Sequence, residues 1–230
     1  MTLSARHQEY LRLMDIDVWV SRNPARGHEM SGKGGMQDNQ ADRQATWQLL
    51  REQVSVCTKC QLHQGRIQTV FGTGSEQAEW MLIGEAPGVE EDKQGKPFVG
   101  RAGKLLTSML QAMGLNRDEV FIANILKCRP PNNRDPKPEE VNACETYLKQ
   151  QVLLVRPKII LALGRIAAQN LLKIDTPIGK MRGNYYEYPE LGIPVVVTYH
   201  PAYLLRSPRE KRKSWQDLQL AMKLYNKIPS

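Results

Sequence analysis

Four cysteines carry the densest chemistry in this sequence: Cys57 and Cys60 as a C-x2-C pair, then Cys128 and Cys144. There are no spare cysteines, so a tetrathiolate metal site would use all of them. Three readings stay open on the residues alone. An iron–sulfur cubane suits ligands spread along the chain, because each thiolate takes a different corner iron. Zinc ribbons usually show two close pairs, and only one is present here. Unrelated buried cysteines are the plain alternative, and Cys144 falls on the same helical face as Val141 and Leu148. Nothing in the sequence signals secretion, so disulfides are not expected.

Three other groups of polar residues follow short apolar runs. Gly84-Glu85-Ala86-Pro87-Gly88 leads into Glu90, Glu91 and Asp92. Asn124 precedes Lys127-Cys128-Arg129-Pro130-Pro131-Asn132-Asn133-Arg134. His200 stands directly before Pro201. Each has a bland counterpart: a tight glycine turn, an Asn bonded to neighbouring backbone, a solvated acidic loop. A His between an apolar strand and a Pro is a poor core residue, and the Pro restricts it to extended conformations.

The elements that must position these groups alternate between helix and strand. Trp47, Leu50 and Val54 mark one helix face. Apolar strands are predicted at 80–83, 120–126, 158–163 and 195–199. Helices are predicted at 102–113, from Pro138 onward, after Gly164, and over about 209–227. Helical crossovers between apolar strands imply a three-layer α/β/α sandwich around a mainly parallel four-stranded sheet. In such sheets ligands bind at the carboxyl ends of the strands, which makes the three polar groups one candidate cleft.

The chain has 230 residues, 41% hydrophobic and 24% charged, with a formal net charge of +8. No apolar run is long enough to span a bilayer, and the N-terminus lacks a signal peptide's apolar stretch. A cytoplasmic protein without membrane association is expected. Residues 1–46 are charge-balanced, so the excess falls on the rest, with a cluster at Arg206, Arg209, Lys211, Arg212 and Lys213. A polyanionic partner fits that excess. Residues 1–22 read as an amphipathic arm, 23–46 as a polar, Gly-rich flexible linker, and 47–230 as the folded domain.

The strings GEAPGVEEDKQGKPFVGRAG, IANILKCRPPNNR and HPAYLLR, in that order, resemble the iron–sulfur uracil-DNA glycosylases of family 4. The resemblance covers roughly residues 50–225. Family 5 departs from the first and third strings. The covalently DNA-linking group carries a longer, His-containing insertion that is absent between Cys128 and Cys144 here.

The resemblance implies a uracil-DNA glycosylase domain whose Cys57, Cys60, Cys128 and Cys144 hold a structural [4Fe–4S] cluster. It also implies a monofunctional enzyme that flips uracil out of DNA and hydrolyses its N-glycosidic bond. Asn124 would meet the N3–H donor and O4 acceptor of uracil with one amide. Phe98 would stack on the base, and Ala86, Gly in some members, would narrow the pocket. His200 would donate to uracil O2 as charge develops there. Glu91 is expected to matter most among the acids, with Glu85 lining the pocket and Asn133 assisting. Leu204 would fill the gap left by the flipped base, with Arg206 and Arg134 on DNA.

The alternatives are a non-catalytic DNA-binding or polymerase-associated module of the same fold, since related domains occur in phage polymerases, and a zinc-stabilised nucleic-acid adaptor. A monomer associated with the nucleoid is expected. Residues 6–24, with Leu11, Met14, Ile16 and Trp19, resemble the N-terminal arm of the bacterial clamp-loader psi subunit, which docks onto the chi subunit. That resemblance implies chi as a partner, against the plain expectation that the arm packs on its own domain.

Overall fold

The computed structural model describes residues 40–189 and 191–228. The expected arm at 1–22, the contact with chi, and the linker up to residue 39 lie outside the described residues. From Gln40 the elements run α1 (Gln40–Ser55), β1 (Thr73–Gly74), β2 (Trp80–Gly84), α2 (Val89–Gln94), α3 (Arg101–Ala112), β3 (Phe121–Asn124) and α4 (Pro138–Val155). They continue with β4 (Ile159–Leu163), α5 (Arg165–Leu172), α6 (Ile178–Met181), β5 (Tyr185–Glu187), β6 (Pro194–Thr198), α7 (Pro201–Arg206) and α8 (Lys211–Tyr225).

The sheet order is β1-β3-β2-β4-β6-β5. The four strands read from the sequence form its parallel centre, β3-β2-β4-β6. Among the described residues the sheet nevertheless has six strands, not four. β1 and β5 add short antiparallel edges of two and three residues. Neither carries the buried apolar run that identifies a central strand, because an edge strand with open flanks needs none.

Alternate strand residues build a core on each face. Met81, Ile83, Phe121, Ile160 and Val197 pack with α1, α4 and α5. Leu82, Ile122, Leu161 and Val196 pack with α3 and α8. Three layers result, as periodicity and connection length dictate. Pro138 opens α4, where its missing N–H costs nothing, and Gly114 follows α3 with φ +78°.

The first helix begins at Gln40, inside the stretch read as linker. Its polar composition is offset by tertiary hydrogen bonds: Arg43 donates to the carbonyls of Leu154 and Glu76. No helix among the described residues is long and apolar enough to cross a membrane.

Candidate active site and cysteine site

Sheet order reverses around β2, since β3 lies on one side of it and β4 on the other. Ligand sites of open α/β sheets form at such a switch point. Gly84 ends β2 and is the register partner of Asn124, which ends β3. A Cβ on Gly84 would stand 2.5 Å from Asn124 Oδ1 and 2.6 Å from the Phe98 ring. Only glycine therefore lets the amide and the ring meet there. Asn124 is 2% exposed, and its Oδ1 is buried without a hydrogen-bond partner among the described residues. Buried polar atoms are nearly always paired, so this acceptor has room for a donor that the described residues do not supply.

Phe98 has φ +53°, an unusual backbone for a residue with a side chain. Two features hold it there. Glu91 Oε1 accepts from the next two amides, Val99 at 2.9 Å and Gly100 at 3.1 Å. Gly103 leaves room for the Phe98 carbonyl, since a Cβ would lie 1.7 Å from that oxygen. The Phe98 ring lies 5.5 Å from the His200 ring, centroid to centroid.

His200 caps α7. Its Nδ1 accepts from the Ala202 amide at 3.1 Å, which leaves the proton of the neutral ring on Nε2. Its ψ of 136° is the extended setting that Pro201 demands. Burial, helped by Arg206 and opposed by Glu91, holds its pKa down to about 4. The ring is thus a neutral donor at neutral pH.

The acids separate by partner. Glu90 is exposed and pairs with Lys93. Asp92 is buried and accepts from the Ile67 amide. Glu91 is committed to the backbone before α3. Glu85 has no side-chain hydrogen bond or ion pair among the described residues. Burial, together with Asp135 and against Arg165, raises its carboxyl to about 7. Ala86 is half-buried beside it, against the core.

Other expected site residues fall differently. Asn133 is exposed, and its Oδ1 accepts from Arg129 at 2.8 Å. No contact among the described residues joins it to Asn124 or His200. The Arg134 guanidinium is engaged within the chain. Its terminal nitrogens hold Glu140, at 2.9 and 2.5 Å, and the Asp135 carbonyl. Glu140 also accepts from the Lys137 amide at the start of α4. Arg134 is therefore a tie between the loop after β3 and α4.

The expected wedge residue and its neighbour differ in exposure. Leu204 is 1% exposed on α7, which packs against α3, while Leu205 is 36% exposed. Pro201 and Leu204 share the inward face at i and i+3, a spacing legible in the sequence. Arg206 is exposed at the end of α7, beside the exposed Arg209, Lys211 and Arg212. Gly84 and Gly103 were missed as site residues because a glycine's function lies in what approaches it.

The four cysteines line one cavity under the other face of the sheet, together with Lys127, Arg66 and Tyr147. Cys57 and Cys60 follow α1, Cys128 follows β3, and Cys144 lies on α4. Arg66 Nη1 donates to Cys128 Sγ at 3.1 Å. Burial raises the Cys128 thiol, and raises that of Cys144 to about 11. No disulfide links them. Among the described residues, no three His, Cys, Asp or Glu converge tightly enough to hold a single ion. Four thiols lining one cavity are a donor set for a thiolate-held metal or iron–sulfur group.

A parallel-centred α/β sheet thus gathers these polar groups at its strand ends. The sequence matches the uracil DNA glycosylase superfamily over residues 71–219, and the chain belongs to it. Within that superfamily it groups with the type-4 enzymes. A type-4 uracil-DNA glycosylase of Archaeoglobus fulgidus is 48% identical over 177 residues, 74% of this chain and 88% of the relative. Another, of Sulfurisphaera tokodaii, is 46% identical over 177 residues, 74% of this chain and 80% of the relative. A type-5 uracil-DNA glycosylase of Pyrobaculum aerophilum is more distant, at 32% over 148 residues, 57% of this chain and 64% of the relative.

Proposed function

We infer that this chain is a uracil-DNA glycosylase, hydrolysing the N-glycosidic bond of deoxyuridine in DNA to give free uracil and an abasic site. The observation that carries the reading is the buried, unpartnered Oδ1 of Asn124 beside the Phe98 ring. Uracil offers N3–H to that oxygen and O4 to the amide nitrogen. Cytosine has an acceptor at N3 and a donor at C4, which reverses both contacts.

The flipped base stacks on Phe98. As the bond to C1′ breaks, its electron pair moves onto uracil, and His200 Nε2–H donates to O2, where negative charge gathers. A neutral donor placed beforehand stabilises the departing anion without reorganisation. Glu85, once deprotonated, steadies the positive sugar and takes a proton from the water that adds at C1′. Glu91 acts through position: it holds the backbone that presents Phe98. Leu205 fills the vacated stack, and Arg206 with its exposed neighbours holds phosphates.

Cys57, Cys60, Cys128 and Cys144 would hold a [4Fe–4S] cluster, supported by their shared cavity and the Arg66 donor. The cluster would supply cross-linking, joining the segment after α1 to the loop after β3 and to α4. The enzyme works as a monomer on chromosomal DNA in the cytoplasm. Its N-terminal residues 6–24 dock on the clamp-loader chi subunit, tested by loss of a chi pull-down, with glycosylase activity intact, when residues 1–40 are deleted.

The experiment for the main reading is a set of labelled duplexes carrying U opposite G, U opposite A, or T opposite G. Alkali-dependent cleavage at U in both contexts, with none at T, supports it. No cleavage at U overturns it.

A further inference from the structure

Lys127 stands immediately before Cys128 and is 1% exposed. A methionine would fill similar space without burying a polar head, so the nitrogen calls for a reason. Its Nζ donates to the backbone carbonyl of Asn124 at 2.9 Å and to Gln151 Oε1 at 2.6 Å. Gln151, fully buried on α4, donates in turn from Nε2 to the Phe71 carbonyl at 2.9 Å. The Lys127 carbonyl accepts from the Val70 amide at 2.8 Å. No carboxylate pairs with Lys127 among the described residues. Gln151 lies two turns beyond Cys144 on the same helix, and Lys127 also lines the cysteine cavity.

We propose that Lys127 and Gln151 are positioning residues for base recognition, fixing the end of β3 so that the Asn124 amide is aimed at uracil. The carbonyl of Asn124 leaves the sheet at the last register pair, where Gly84 is its neighbour. Beyond that point Ile125 and Leu126 donate to the carbonyls of Gly84 and Glu85. The Asn124 carbonyl is held by Lys127, and Lys127 is held by the helix that carries Cys144. The bridge therefore runs from the helix that carries Cys144 to the backbone of the recognising Asn124 through two side chains, Gln151 and Lys127. A small rotation of the Asn124 peptide would swing its unpartnered Oδ1 off the base edge, because that side chain has no other acceptor contact to restrain it. A buried network of this kind specifies one geometry only while every member is satisfied.

The proposal rests on Asn124 being the recognising amide, and the test separates the two. Single-turnover uracil release is measured for Lys127→Met, Asn124→Ala and the double variant. Iron content, visible absorbance and melting temperature are recorded for each, with inhibition by free uracil and affinity for abasic duplex. Lys127→Met is expected to keep its iron and absorbance and to bind abasic duplex as wild type does. It should lose about 10-fold or more in rate, with weaker inhibition by uracil. In the Asn124→Ala background the same change should cost less than about 2-fold, because nothing remains to aim.

If Asn124→Ala releases uracil at the wild-type rate, the reading of Asn124 fails. If Asn124→Ala is slow but the two losses multiply fully, or Lys127→Met equals wild type, only the positioning proposal fails. Should Lys127→Met not fold, Gln151→Met carries the same cycle, since it leaves Lys127 in place and cuts its tie to α4. Failure of both variants to fold makes the pair purely structural and overturns the proposal.

Discussion

Gly84 and Asn124 are register partners at the ends of two parallel strands, and a single added methyl on Gly84 would stand 2.5 Å from the Asn124 Oδ1. The Phe98 ring crowds the same space at 2.6 Å. Gly84→Ala should therefore displace the amide or the ring. Uracil release should fall by at least 10²-fold, with a stability loss of about 1–3 kcal/mol typical of overpacking. Rate and thermal unfolding of the one variant check both.

Glu91 offers a clean separation of charge from geometry. Glu91→Gln keeps an oxygen for the Val99 and Gly100 amides, whereas Glu91→Ala leaves both unpaired. The glutamine variant should retain activity within about 10-fold, and the alanine variant should lose about 10²-fold and 1–3 kcal/mol of stability. Equal inactivity of the two, measured by uracil release at matched fold, would make the carboxylate charge itself essential.

Glu85 sets a pH dependence. Its folded pKa is raised to about 7 from 4.5 by burial and Asp135. If the carboxylate serves the reaction, kcat/KM should rise through pH 7 and level off above it. Asp135→Asn removes a like charge and frees Arg165, so the limb should move to lower pH. The stability effect has the opposite sense. The folded state holds this proton more tightly than the unfolded chain, so the contribution is full below pH 4.5 and is lost as pH rises through 7. Glu85→Gln should flatten both profiles.

His200 adds an acid limb to stability. Its folded pKa of about 4 lies below the ordinary 6.5, so the unfolded chain takes up the proton first. Stability should fall as pH drops from 6.5 toward 4, and His200→Gln should remove that part of the slope in urea titrations.

The two leucines of α7 should respond oppositely. Leu204→Ala empties a buried site and should cost about 2–5 kcal/mol. Leu205→Ala should leave the melting temperature nearly unchanged while slowing excision from duplex more than from single-stranded DNA, since only the duplex must be held open. Both rates and melting temperatures are measured on purified variants.

The central strands and long helices were legible because buried runs and 3.6-residue periods leave little freedom. Trp80–Gly84, Ile159–Leu163 and Arg101–Ala112 lie within one or two residues of where the sequence put them. The edge strands at Thr73 and Tyr185 carried no such pattern. The start of α1 was hidden because Arg43 is held by carbonyls of Glu76 and Leu154, residues distant in sequence. Within the candidate site, residue type singled out Asn124, His200 and the cysteines as candidates. Partnership did not show: Glu91 turns inward to backbone, Arg134 grips Glu140, and Lys127 reaches back to Asn124. Each of those depends on a fold already formed.

The most direct test of the account is the fate of a uracil-containing duplex incubated with the protein in water enriched in oxygen-18, with products resolved by mass. Hydrolysis at C1′ predicts unlabelled free uracil and an intact strand whose new abasic site carries one heavy oxygen. The Asn124→Ala and His200→Ala proteins should each release uracil about 10²–10³-fold more slowly. A nicked strand, an abasic site without the label, or no free uracil from the iron-loaded wild-type protein would contradict it.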